Sequence, residues 1–200
     1  MIKTPFQTYK LQESDFPILE DLLNSNLKFE TLKMSFDGVG WGKDIKGNFE
    51  ELEIHKNIII KQSKNLYQIW YSAGSLNNHD EIINLLKKEF NKLYPEINSE
   101  LELHTEFTFY NEGCFIEPHY DGTDPNRYAG FLIYLNKNYK KENGGLLRVT
   151  NPSTNEITEI VPEFGQVVCI DYVDNQVLHE VTRVNEGTRL AICAFIHRKK

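Results

Sequence analysis

The sequence predicts a mainly β protein with flanking helices, its strands folded into a jelly roll. Two observations carry that class. From about residue 100, short runs of strand-like residues recur and are closed by turn residues, a spacing that suits a double-sheet jelly roll. The first hundred residues instead hold two stretches with apolar positions at helical spacing. A chain of 200 residues can build one well-formed core and is short for two. The expected organisation is a single domain over 1–200, with 1–99 as a supporting region and 100–197 as the jelly-roll core.

In order along the chain, the spacing first predicts a helix over 15–23. Phe16, Leu19, Leu22 and Leu23 share one side, and Ser14 or Asp15 is placed to cap it. Strands are expected at 58–60 and 66–71, across a turn at Ser63-Lys64-Asn65. A second helix is expected over 79–93, with Ile82, Ile83, Leu86, Phe90 and Leu93 aligned and Tyr94-Pro95 ending it. These helices would cover one outer face of a sheet. The glycine-rich run at 36–42 lacks a following helix and the Lys-Ser/Thr pair of a phosphate loop. It reads instead as a loop that could fold over a site. Leu101, Leu103, Thr105, Phe107 and Phe109 alternate with polar partners and open the strand series. Further strands are expected at 130–135, 145–150, 156–161, 166–172, 179–184 and 189–197. Gly122-Thr123-Asp124-Pro125, Asn143-Gly144, Asn151-Pro152, Pro162 and Glu186-Gly187 mark the turns between them.

The net charge is −7 and the sequence pI near 5.4. An acidic chain is a poor candidate for phosphate neutralisation, so a nucleic-acid partner is not expected. Cys114, Cys169 and Cys193 are dispersed, odd in number and form no Cys-x-x-Cys pair, which suits reduced thiols. Cys114 lies beside the candidate metal segment as a possible ligand, although packing is its simpler role. The first residues hold no signal-peptide core, and no apolar run has membrane-spanning length. The expectation is a cytoplasmic protein without a membrane partner.

The chemistry concentrates in four residues. His119 and Asp121 are two apart after Glu117-Pro118, in an extended stretch, so as strand residues they would face one space. His179 could bring a second imidazole. Two histidines and one carboxylate on one face of a metal leave coordination positions open, the ligand set of non-haem Fe(II) oxygenases. Arg189 opens the strand after the one begun by His179, as though the two were neighbours across a hairpin. Its guanidinium could bind a carboxylate through two parallel hydrogen bonds.

Several ordered segments add to this set. They are Tyr110-Asn111-Glu112-Gly113, Pro118-His119-Tyr120-Asp121 and Ile133-Tyr134-Leu135-Asn136-Lys137. They continue with Asn143-Gly144-Gly145-Leu146-Leu147-Arg148-Val149, Pro162-x-x-Gly165, His179-Glu180-Val181 and Gly187-Thr188-Arg189-Leu190-Ala191-Ile192. Together they resemble the Fe(II)/2-oxoglutarate-dependent dioxygenases of the prolyl 4-hydroxylase type. The likeness runs from about residue 100 to 196 and is closest to the oxygen-sensing prolyl hydroxylases and their bacterial relatives.

The resemblance implies a double-stranded β-helix, the cupin-like form of the jelly roll. It implies His119, Asp121 and His179 as iron ligands and Arg189 as the grip on the distal carboxylate of 2-oxoglutarate. Tyr134 matches a tyrosine that helps hold that carboxylate, and Tyr110 one that lines the pocket near the iron-bound end. Arg127 falls where some relatives place an arginine near the substrate. Fe(II), 2-oxoglutarate and O2 are the implied cofactor and co-substrates, with ascorbate as a stimulant. The implied reaction is hydroxylation of an aliphatic C–H with release of succinate and CO2. Its expected substrate is a prolyl residue in a protein, or proline or another amino acid. Asp121 stands where related halogenases have a small residue, which favours hydroxylation.

Some positions depart from the pattern. Collagen-type enzymes use lysine where Arg189 stands, and the His-to-Arg gap is one residue longer than in the animal oxygen sensors. Phe195 replaces a family tryptophan and Cys193 a pocket threonine. These leave cofactor use intact and make the substrate the open question. The alternatives are an oxygenase tailoring a small specialised metabolite and a non-catalytic cupin-like metal or ligand binder. The latter has no need for Arg189 with Tyr134.

Overall fold

Period-two alternation becomes two antiparallel sheets in the computed structural model, which describes residues 4–24, 33–34, 71–76, 79–97, 100–121, 124–173 and 176–199. The strands are β1 (Phe6–Lys10), β2 (Lys33–Met34), β3 (Tyr71–Ser75), β4 (Leu101–Asn111), β5 (Ile116–His119) and β6 (Arg127–Tyr134). They continue as β7 (Leu147–Thr150), β8 (Ile157–Ile160), β9 (Gln166–Asp171), β10 (His179–Val181) and β11 (Thr188–Arg198). The larger sheet runs β1-β9-β6-β11-β4-β3-β2, and the smaller runs β5-β10-β7-β8. The expected strands at 58–60 and 66–70, the turn at 63–65 and the loop at 36–42 lie outside the described residues. Tyr71, the end of the second expected strand, opens β3.

Alternation along β11 sorts its side chains between two environments. Arg189, Cys193 and Phe195 line the inner pocket. Ile192, Ala194 and Ile196 are fully buried in the core. β11 pairs with β4 from Thr188 to Arg198 and with β6 from Ala191 to His197, so Cys193 and Phe195 are held in register from both flanks and Arg189 from the β4 side.

Two helices, α1 (Phe16–Asn24) and α2 (Asp80–Leu93), cover one face of the larger sheet, as expected. Phe90 of α2 is fully buried, stacks on Tyr94 at 4.7 Å between ring centroids and meets Tyr128 of β6 at 5.9 Å. Glu89 is also fully buried; Tyr9 of β1 donates to it at 3.0 Å and Lys92 Nζ pairs with its other oxygen. The expected capping by Asp15 is not what forms. A 3-10 turn over Glu13–Asp15 precedes α1, and the Asp15 carboxylate takes Lys88 Nζ at 2.6 and 2.8 Å, tying α1 to α2. Gly165 has φ +72°, and a Cβ there would come within 2.6 Å of the Phe16 ring. That turn requires glycine.

Two further expectations change. β1 was not expected; it pairs with β9 in the register Phe6↔Ile170 to Lys10↔Gln166 and extends the larger sheet. β10 and β11 are not hairpin partners. β10 pairs with β5 and β7 in the smaller sheet, and β11 belongs to the larger one, so His179 and Arg189 approach from opposite walls. Among the described residues, no helix is long and apolar enough to cross a membrane.

Candidate metal and co-substrate centre

His119 ends β5 and lies directly opposite His179 in the first position of β10. Paired residues on adjacent antiparallel strands project to the same face. The two rings sit 4.4 Å apart between centroids. Asp121 is not on the strand, as the two-residue spacing suggested, but just beyond its end. Its chain turns back so that Oδ1 lies 3.6 Å from His119 Nε2 and Oδ2 3.4 Å from His179 Nε2. Candidate ligand atoms of these three residues all fall within 4.8 Å of one another.

The tautomers suit a metal. His119 Nδ1 is 2.8 Å from the Glu117 carbonyl oxygen and His179 Nδ1 2.9 Å from that of Val177. A carbonyl oxygen only accepts, so each Nδ1 carries the proton in the neutral ring. Both Nε2 lone pairs are left facing Asp121, as ligating histidines require. Burial would raise the Asp121 pKa. Hydrogen bonds from His119, His179 and Tyr172, with the charge on His179, outweigh it and hold the carboxyl well below its ordinary range. Burial opposes charge on His179 as well, but bonding and attraction to Asp121 prevail and its pKa is raised.

Across the pocket stands Arg189, 1% exposed and the largest fully buried side chain. Its Nη2 donates to Tyr134 Oη at 3.2 Å, and its Cζ lies 4.9 Å from the ring centroids of both Tyr110 and Tyr134. No carboxylate pairs with it among the described residues, and its Nε has no hydrogen-bond partner there. Burial pushes the Tyr110 and Tyr134 phenols up despite the nearby guanidinium, so both remain neutral. A buried cation without an acid is costly, and the cradle fits a carboxylate brought in by a ligand.

His119, Asp121, His179, Arg189 and Tyr110 line one cavity, Tyr134 stands behind it against Arg189, and Arg127 is outside the lining, bonded to the Asp121 backbone. Cys114 is fully buried and stands outside the ligand cluster, as a packing residue. No disulfide joins Cys114, Cys169 or Cys193. Cys193 and Phe195 face the cavity. Sequence reading missed Tyr172, whose hydroxyl donates to Asp121 Oδ2. It closes an expected strand seven residues before His179, but nothing in that run marks the hydroxyl as functional.

Residues 105–197 match the family model of the 2OG-Fe(II) oxygenase superfamily. The match covers a little under half of the chain, the stretch that holds β4 to β11. With the His-Asp-His cluster, it supports an oxygenase enzyme whose cofactor is Fe(II) and whose co-substrate is 2-oxoglutarate. Solved structures show the same fold. A Pseudomonas putida prolyl-4-hydroxylase is 15% identical, with 98% of this chain and 94% of that chain covered and a TM-score of 0.64. A Trichoplax adhaerens prolyl hydroxylase, in complex with a peptide fragment of the hypoxia-inducible factor oxygen degradation domain, is 18% identical with a TM-score of 0.61. That match covers 98% and 84% of the two chains. The viral collagen prolyl hydroxylase of Paramecium bursaria Chlorella virus-1, in its 2-oxoglutarate complex, is 16% identical with a TM-score of 0.55, covering 99% and 98%. The fold these oxygenases share is the double-stranded β-helix expected from the sequence.

Proposed function

We propose that residues 1–200 act as one catalytic unit in which His119, Asp121 and His179 bind Fe(II). Arg189, with Tyr134, binds the distal carboxylate of 2-oxoglutarate, and Tyr110 shapes the pocket beside them. The observation that carries the reading is the buried Arg189, with no acid beside it among the described residues, facing a His-Asp-His cluster across one cavity. A metal-binding module alone has no use for such a cation.

The bound metal, with 2-oxoglutarate and dioxygen, supplies oxidative decarboxylation to succinate and CO2 together with oxygen insertion into an aliphatic C–H bond. The protein's own part is binding and orientation. Val177 and Glu117 carbonyls hold the imidazoles in the ligating tautomer. Arg189 neutralises and aligns the co-substrate's far end, a bidentate geometry that a lysine could not reproduce. The walls contributed by Ile116, Leu147, Val181 and Phe195 exclude water from the reacting region.

The substrate we propose is a prolyl residue within a peptide. Among the described residues, Asp121 and Arg189 are the carboxylate and the cation lining the cavity, and both are committed to metal and co-substrate. A free amino acid would bring two more charges without partners. An uncharged ring in a peptide does not, and the Trichoplax neighbour is seen with a peptide.

The test is an anaerobic titration of apo protein with Fe(II) and then 2-oxoglutarate, following the visible metal-to-ligand charge-transfer band. The band is expected in wild type and weakened in Arg189→Ala; its absence in folded protein sinks the reading. Succinate release with proline-containing peptides against free proline then decides the substrate class.

A further inference from the structure

We propose that Tyr172 is a positioning residue of the metal centre, its phenol engaging Oδ2 of Asp121 so that the carboxylate offers the metal a single oxygen. The inference rests on reading His119, Asp121 and His179 as the iron ligands.

Asp121 lies beyond the end of β5, so no strand pairing holds it. A free carboxylate there could turn about its last torsion and present either oxygen, or both. Two contacts from the larger sheet prevent this. Arg127 Nη1 donates to the Asp121 backbone oxygen at 2.8 Å, fixing the main chain. The Tyr172 hydroxyl donates to Oδ2, fixing the side chain. A carboxylate only accepts, so the phenol is the donor.

Tyr172 is itself built in. It follows β9, and its backbone N–H bonds the Tyr128 carbonyl at 3.0 Å. Its ring lies so close to Gly130 that a Cβ there would meet Cε2 at 2.9 Å. The Arg127 guanidinium stands 5.3 Å from the Tyr172 ring centroid and 4.4 Å from that of Phe195. Arg127 thus braces both the Asp121 backbone and the ring that holds its carboxylate.

The consequence follows from coordination chemistry. A facial triad is useful because it leaves positions for a bidentate 2-oxo acid and dioxygen. A carboxylate that chelated through both oxygens would occupy one of them. With one lone pair of Oδ2 engaged by Tyr172, Oδ1 is the oxygen favoured as the single ligand. Hydrogen-bonded partners of ligating groups typically change metal affinity about 10–100-fold when removed.

The experiment compares apo wild type, Tyr172→Phe and Gly130→Ala by anaerobic Co(II) titration, reading the affinity and the d–d spectrum, with thermal melts of the apo forms as the control for folding. Tyr172→Phe is expected to melt near wild type, bind Co(II) about 10-fold more weakly and show an altered d–d spectrum. Gly130→Ala, which crowds the ring but keeps the phenol, should shift both readouts in the same direction. Unchanged affinity and spectrum in both variants overturn the assignment. An intense Fe(III)–phenolate band in wild type that is lost in Tyr172→Phe also overturns it, by making Tyr172 a ligand. Wild type that binds no Co(II) overturns the iron-ligand reading instead, and so separates the two failures.

Discussion

Arg189 carries its guanidinium into the interior, where no acid among the described residues meets it. That imbalance yields a paired prediction. Arg189→Ala should raise the KM for 2-oxoglutarate by roughly 10²- to 10⁴-fold, because two charge-assisted hydrogen bonds of about 1.5–3 kcal/mol each are lost. The same change should not lower the apo melting temperature, since removing an unpaired buried charge relieves a cost. An unchanged KM would take Arg189 out of the site. His179→Ala should abolish succinate formation and weaken metal binding; retained turnover would sink the triad. Both positions stand out in the sequence because iron and carboxylate chemistry restricts which side chains can serve. Tyr172 was not legible. Its function lies in one hydrogen bond to a residue 51 positions away, and tyrosine at the end of a strand is common for packing alone.

At the level of elements, helix α2 holds the larger sheet from behind while the sheet's other face builds the site. Phe90 is the anchor, buried against Tyr94 and Tyr128. Phe90→Ala should cost about 3–5 kcal/mol of unfolding free energy, the usual range for deleting a buried aromatic ring. Urea denaturation would measure it, and a loss under 1 kcal/mol would show that the helix is not anchored there. Near the end of β11, His197 is held below its ordinary pKa, first by burial and then by His104 and Arg127, against the pull of Asp124. The unfolded chain therefore takes up this proton before the folded one does. Stability should fall as pH drops through the unfolded value of about 6.5. His197→Gln should flatten that part of the curve; an identical pH profile would refute it. Helix existence was readable from apolar spacing, but the start of α1 was not. Asp15 has the chemistry of a cap, yet Lys88 on the neighbouring helix claims its carboxylate.

Taken as a whole, the molecule places His119 and His179 on the smaller sheet, with Asp121 beside them, and Arg189 on the larger, with the cavity between. Ligands that bridge the two walls should stabilise the fold by mass action. Fe(II) with 2-oxoglutarate at about 100 times its dissociation constant would add about 2.7 kcal/mol. For a chain of this length that is a rise of roughly 5–10 °C in Tm. Arg189→Ala should lose the 2-oxoglutarate share and keep the metal share. A co-substrate shift that survives in Arg189→Ala would place the binding elsewhere.

Sequence alone determined the residue chemistry: two imidazoles, a carboxylate, a guanidinium and two tyrosines, in an order matching one class of oxygenase. It also determined that strands would dominate after residue 100, because alternation and turn residues are local signals. Which strands pair was not local. His179 and Arg189 are ten residues apart and read as hairpin neighbours, but the chain crosses from one sheet to the other between them. Only that crossing sets the His-Asp-His cluster and Arg189 on facing walls, because pairing is decided by burial of whole sheet faces rather than by nearness in sequence. The short edge strand β1 gave no local signal for the same reason. Its place depends on the free edge of β9, which exists only once the sheet has formed.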